Sequence, residues 1–224
     1  MRLISRDQLI QLDTEEHPLS KLVLEHKAYY RNFVRGLYAE MAGGGELFRV
    51  FEGQREYSLL KKFRLILQPT YVELVDRKAR SRIVERLMEA SYSAEEERRI
   101  QDLRLGLQDL ASVFLRKTEA RLSSERDFSL KELLQFFDFR LDSSSASFSE
   151  NLVEYILGLR MLEGISHFIT LNLEDYMTEA ELCQFYENMQ VEQVSLVNIA
   201  CRHTKRVYEE HVLVLDQDLC VLEY

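Results

Sequence analysis

HFITLNLEDYMTEAELCQFYENMQVEQVSLVNIA, residues 167–200, decides the fold class. His167-Phe168-Ile169-Thr170-Leu171 is an apolar run of strand length, and Val194-Ser195-Leu196-Val197-Asn198-Ile199 is a second. Thr178 to Met189, between them, predicts a helix. Strands that are apolar on both faces belong to a sheet covered by helices on each side, which is the habit of parallel sheets.

The amino-terminal part repeats the pattern. After an irregular start, Leu22-Val23-Leu24-Glu25 predicts a strand that runs into a helix from about Lys27 to Met41. Tyr30, Phe33, Val34, Leu37 and Tyr38 recur there at three- and four-residue spacing, the period of a buried helix face. Gly43-Gly44-Gly45 stops the helix. Leu47-Phe48-Arg49-Val50-Phe51 alternates and predicts a strand at a sheet edge, and Phe63-Arg64-Leu65-Ile66-Leu67 predicts another, ended by Pro69. Two last strands are expected in Val212 to Leu215 and Cys220 to Leu222.

Helices dominate the middle. One is expected from Tyr71 to Ala90 with Val72, Val75, Ala79, Ile83 and Leu87 as its buried stripe. Ser93 with Glu96 forms a capping box, so a second begins near Ala94. Ile100, Leu103, Leu107, Leu110 and Phe114 then recur at alternating steps of three and four, a seam that packs against another helix. Ser129-Leu130-Lys131-Glu132 opens a further helix, and Ser143 to Ser147 reads as a loop ahead of an amphipathic helix from about Ser149 to Leu162. The expected fold is α/β, with a head of residues 1–70 and 141–224 and an inserted helical leg of residues 71–140.

Composition narrows the function. Hydrophobic residues make up 46% and charged residues 30% of the 224, enough for a packed core. The net charge of −9 is unevenly spread. Residues 1–90 hold 16 Lys and Arg against 13 Asp and Glu, whereas residues 91–224 hold 13 against 25. A locally basic surface is therefore compatible with an acidic chain. Cys183, Cys201 and Cys220 form no CxxC pair and are expected as buried, reduced thiols. No apolar run approaches the roughly 20 residues that span a bilayer, and the amino terminus lacks a signal-peptide core, so a cytoplasmic location is expected.

Catalytic signatures are missing. No GxxxxGK[ST] follows Leu22–Glu25, and the glycine cluster at residues 43–45 comes after a helix, so nucleotide binding is not expected. His17, His26, His167, His203 and His211 include no HExxH or i, i+4 pair. His167 reads as a structural histidine in a strand. Asp216 and Asp218 lie two apart and either serve a metal-dependent nuclease or close a turn; the turn is the better reading. No enzyme is expected.

Positive charge is organised instead. Lys27, Arg31 and Arg35 stand at i, i+4 and i+8, one helix face; Lys78, Arg82 and Arg86 repeat the spacing. Such rows track phosphates and bind through counterion release. Glu85 and Glu89 share the second face, where Arg82 also has local ion-pair partners.

The carboxy-terminal third resembles a known family. Phe168-Ile169-Thr170-Leu171-Asn172, followed by Tyr176-Met177-Thr178-Glu179-Ala180-Glu181-Leu182, is similar to the strand, Asn-containing turn and helix start of the type II-A CRISPR-associated spacer-acquisition proteins. Val214-Leu215-Asp216-Gln217-Asp218-Leu219-Cys220-Val221-Leu222 is similar to their last hairpin. Leu22–Glu25, the helix to Tyr38, Glu46-Leu47 with Phe51, and Pro69 fall in the family's order, so the likeness runs from about residue 20 to the end. It implies a head that is a degenerate relative of P-loop ATPases, an inserted helical leg, and a homotetrameric ring that takes ends of double-stranded DNA. It also implies partnership with the CRISPR integrase complex and the RNA-guided effector nuclease, and no chemistry on DNA. Lys27, Arg31 and Arg35 are the candidates for the ring's basic interior. The alternative is an adaptor of the acquisition complex that uses the Ile100–Phe114 seam and does not touch DNA.

Several family members bind calcium in the leg. The similar tract here keeps Glu119, Glu125 and Asp127 as candidate ligands, but Ser123 and Ser124 replace acids and Arg121 and Arg126 intrude. Calcium takes six to eight oxygens, largely anionic, so this is a poor cage.

Overall fold

The computed structural model describes residues 1–71, 77–117, 129–139 and 147–224. It divides into two compact units, Met1–Val75 with Asp142–Tyr224, and Asp76–Leu141.

The larger unit contains two sheets. Strands β1 (Arg2–Ser5) and β2 (Gln11–Asp13) are antiparallel and precede β3 (Leu19–Leu24), which leads into helix α1 (Lys27–Met41). Next come β4 (Phe48–Glu52), β5 (Arg55–Tyr57), the short helix α2 (Leu59–Lys62) and β6 (Phe63–Ile66). The four-stranded sheet has the order β2-β1-β4-β5. The amino terminus is thus not irregular. Its two strands are only four and three residues long, too short for a period to register in the sequence, yet Leu3 and Leu12 are buried beneath them. Nor is β4 an edge strand, since β1 and β5 pair with it on both sides.

After the helical unit, α6 (Phe148–Glu163) returns the chain to β7 (His167–Leu171). It continues through α7 (Glu179–Val191), β8 (Ser195–Ala200), β9 (His211–Leu215) and β10 (Val221–Glu223). The second sheet has the order β10-β9-β3-β8-β7-β6, parallel except for β10. Leu22 and Leu24 of β3, Ile169 and Leu171 of β7, and Val197 and Ile199 of β8 share one core cluster with Phe33 and Leu37 of α1 and with Leu3, Leu12 and Val50 of the smaller sheet. Their neighbours in sequence, at period two, face the other way, where α7 packs on β3 and β8 and against α6. Both faces are covered, which is why these strands are apolar throughout.

Local chemistry sets the element ends. α7 opens with a capping box of Thr178 and Glu181, and α6 closes on Gly164 at φ 70°. After α1, Gly45 is required by crowding: a Cβ there would lie 2.4 Å from the Glu40 backbone nitrogen.

The helical unit holds α3 (Arg77–Glu89), α4 (Ala94–Arg116) and α5 (Leu130–Phe136). Ser93 and Ser129 both form capping boxes at the predicted starts. Val84 of α3 and Leu134 of α5 are buried, and Arg80 pairs with Asp138 at 2.8 Å. In α4 no residue is buried, and Leu103, Leu110 and Phe114 of its seam are exposed. No described helix is long and apolar enough to cross a membrane.

The cysteines correct the expectation of buried thiols. Cys201 and Cys220 are exposed and Cys183 is half-buried. Cys201 follows the last residue of β8, and Cys220 precedes a strand whose own Val221 and Leu222 are exposed. Apolar neighbours in sequence misled there.

Candidate nucleic-acid interface

Helix α1 starts two residues after β3. The side chain of His26 caps it, with its Nδ1 accepting a hydrogen bond from the Tyr29 amide at 3.1 Å. The turn is only Glu25-His26, and the Glu25 amide donates to the Leu215 carbonyl at 2.9 Å. Phe33, Leu37 and Glu40 are buried on the sheet side of α1, and Glu40 accepts from the Leu47 amide at 2.5 Å.

At 100° per residue, Lys27, Arg31 and Arg35 fall on the side of α1 opposite that buried face. All three are exposed, and among the described residues none has an ion-pair partner. The row spans about 12 Å, eight residues at 1.5 Å each. Tyr29 and Tyr30 are half-buried against the core. Burial, then the Tyr29 hydroxyl's 2.6 Å hydrogen bond to Asp7, pushes the Tyr29 phenol well above its ordinary range. Burial likewise raises Tyr30.

Tyr30 ties α1 to the carboxyl ends of the neighbouring strands. Its hydroxyl accepts from Asn172 Nδ2 at 2.6 Å, and Asn172 Oδ1 accepts from the Cys201 amide at 3.1 Å. Asn172 follows β7 with φ 47°, ψ 48°, a left-handed geometry that asparagine tolerates better than most side chains. The loop after β8 therefore leaves the sheet beside the start of α1.

That loop carries a basic group unforeseen in the sequence analysis. Arg202, Lys205 and Arg206 are all exposed. Arg202 pairs with Asp175, which raises its pKa, and Arg206 Nε donates to the Tyr208 carbonyl at 2.9 Å. The signal in the sequence was the cluster Arg202-His203-Thr204-Lys205-Arg206 inside an otherwise acidic half. In open α/β sheets, ligands approach the carboxyl ends of the strands, where the loop after β8 and the start of α1, with Lys27, both stand.

The second predicted row belongs to the other unit. Arg82 pairs with Glu85 at 2.5 Å and Arg86 is exposed, while Lys78 belongs to α3 with its side chain outside the described residues. Glu119, Glu125 and Asp127 also lie outside the described residues. By donor chemistry, three carboxylates in a sequence tract that also carries Arg121 and Arg126 make a poor calcium cage.

Other candidates resolve into structural roles. Asp216 Oδ1 accepts from the amides of Asp218 at 2.9 Å and Cys220 at 2.8 Å, closing the β9–β10 turn. His167 is stacked at a tilt on Phe63, with Nδ1 3.5 Å from the Thr14 hydroxyl, and burial lowers its pKa.

Residues 45–219 match the family model described as CRISPR-associated protein (Cas_Csn2). Among solved structures, the chain is similar to one described as "Crystal structure of Stu0660 of Streptococcus thermophilus". That likeness has a TM-score of 0.65 at 12% identity over 100% of this chain and 76% of the other, and it concerns the fold. No curated protein sequence matches.

Proposed function

Because this chain belongs to the CRISPR-associated Cas_Csn2 family, we propose that it binds ends of double-stranded DNA, without sequence preference and without cutting them, during CRISPR spacer acquisition. The observation that carries the reading is the row Lys27, Arg31 and Arg35, exposed and without ion-pair partners among the described residues on the outer face of α1. Unpaired cations of this kind exchange condensed counterions for phosphates, whatever the base sequence. Arg202, Lys205 and Arg206 extend the positive surface along the same strand ends, while Lys78, Arg82 and Arg86 are secondary contacts in the helical unit.

The proposed assembly is a homotetrameric ring with the α1 rows lining its hole. Its proposed partners are the integrase complex and the RNA-guided effector nuclease. A ring explains how a chain of net charge −9 retains DNA: charge is concentrated in the lumen while the outer surfaces stay acidic. No step of this reading is routed through calcium.

The exposed seam of α4 favours a second reading, an adaptor that docks on a partner helix without touching DNA. An Arg31→Glu, Arg35→Glu double variant separates the two. Loss of linear-duplex retention by a folded double variant supports DNA binding, and unchanged retention favours the adaptor.

A further inference from the structure

His17, His211 and Glu223 come together from three separate segments of the larger unit. His17 lies in the turn between β2 and β3, His211 is the first residue of β9, and Glu223 lies in β10. Glu223 is paired with Leu213 across the antiparallel ladder, so it shares a sheet face with His211 two residues earlier. One potential ligand atom from each residue lies within 4.8 Å of the other two.

The details are unusual for a simple surface ion pair. The two imidazoles are stacked with centroids 4.0 Å apart and 11° between their planes. His211 is mostly buried, and its Nε2 is 2.7 Å from Glu223 Oε1. Its Nδ1 is buried without a hydrogen-bond partner. Among the described residues, the further charged contact is Glu16 Oε1, 3.9 Å from His17 Nε2. A cross-strand His–Glu pair needs neither the second imidazole nor its parallel approach.

We propose that these three side chains bind a divalent transition-metal ion of zinc's class. Two imidazole nitrogens and a carboxylate oxygen suit zinc, whereas calcium and magnesium prefer all-oxygen shells. Zinc bonds of about 2.0–2.2 Å place tetrahedral ligands roughly 3.3 Å apart, so the widest separation closes by an inward shift of roughly 1 Å per side chain, and the His17 ring turns out of the stack, because a metal lies in the plane of each imidazole that binds it. His17 and Glu223 are exposed enough to make it. The ion takes the place of the proton between His211 Nε2 and Glu223 Oε1, that proton goes to solvent, and the fourth position is left to water. Bound metal then fastens the β2–β3 turn to β9 and to the carboxy-terminal strand.

The test titrates zinc chloride into the untagged, full-length, reduced protein, read by calorimetry against a competing chelator. One zinc per chain is expected, with affinity lowered at least about tenfold in His17→Gln/His211→Gln and in Glu223→Gln. Zinc should raise the melting temperature of the wild type and not that of the double variant, and a calcium excess should leave zinc binding unchanged. Cobalt offers a readout on the wild type itself: its visible absorption should lack the thiolate charge-transfer band that Cys183, Cys201 or Cys220 would give. No zinc binding, undiminished binding by the folded variants, or a thiolate band on cobalt would overturn the site.

Discussion

The ammonium of Lys21, in the middle of β3, forms an ion pair with the carboxylate of Glu174 inside the larger unit. Lys21 is 2% exposed and Glu174 11%, so the pair is almost wholly withdrawn from water. It is supported on both sides: Lys21 also donates to the Thr204 hydroxyl, and Asn198 Nδ2 donates to Glu174 Oε2 at 3.0 Å. Asn198 Oδ1 in turn accepts from the Thr170 hydroxyl at 3.2 Å and the Leu173 amide at 3.3 Å. A polar network thus runs across β3, β8 and β7 on the face that α7 covers. It anchors the two turns, after β7 and after β8, that border α1.

Removing one partner strands the other's charge in a low-dielectric interior. Lys21→Met and Glu174→Gln should each cost about 3–5 kcal/mol in urea unfolding. The double variant should cost clearly less than the two together, since neither charge is then left alone. Additive losses would mean that the pair is not coupled.

Asn172 combines a left-handed backbone with two side-chain hydrogen bonds. Asn172→Gly keeps the backbone freedom and loses the bonds to Tyr30 and Cys201, whereas Asn172→Ala loses both. The alanine variant should be about 1 kcal/mol less stable than the glycine variant, measured by the shift in denaturation midpoint. Equal stabilities would show that the backbone conformation carries no cost.

His167 has its folded pKa pushed below 6.5 by burial. The unfolded chain therefore takes up the proton first, and stability rises with pH wherever it does so. This contribution is complete above pH 6.5 and is lost as the pH falls from there through the lower folded value. His167→Gln should flatten that part of the stability–pH profile relative to the wild type. Parallel profiles would contradict the assignment.

Much of this organisation is legible in the chain before any coordinates. Strands β3, β7 and β8 are apolar on both faces because helices cover both, and that continuity marks them. His26-Lys27 at one end and Gly43 at the other bound α1 nearly to the residue. What escaped was set by tertiary context. Residues β1 and β2 form strands because they complete a sheet with β4, which no window of four residues reports. Lys21 looks like a break in an apolar run until Glu174, more than 150 positions away in sequence, is found beside it. The basic loop at Arg202–Arg206 was visible as a charge cluster, but only the sheet topology sets it beside α1.

The proposed interface makes a quantitative claim about salt. Each phosphate neutralised by Lys27, Arg31 or Arg35 adds about one to the slope of log affinity against log salt. Arg31→Ala should therefore reduce the slope by about one and weaken binding to all sequences alike, as read by filter retention across a salt series. Lys205→Ala should do the same if the loop shares the interface. A variant that changes sequence preference at constant slope would point to base contacts instead.

The most direct test compares a linear duplex with a covalently closed circle of the same sequence, both offered to the wild-type protein at low and at rising salt. The account predicts that the linear form is retained, that retention collapses steeply with salt, and that the circle is largely ignored because it offers no end to thread. Equal retention of circle and linear DNA, or no retention of either at low salt, would contradict it.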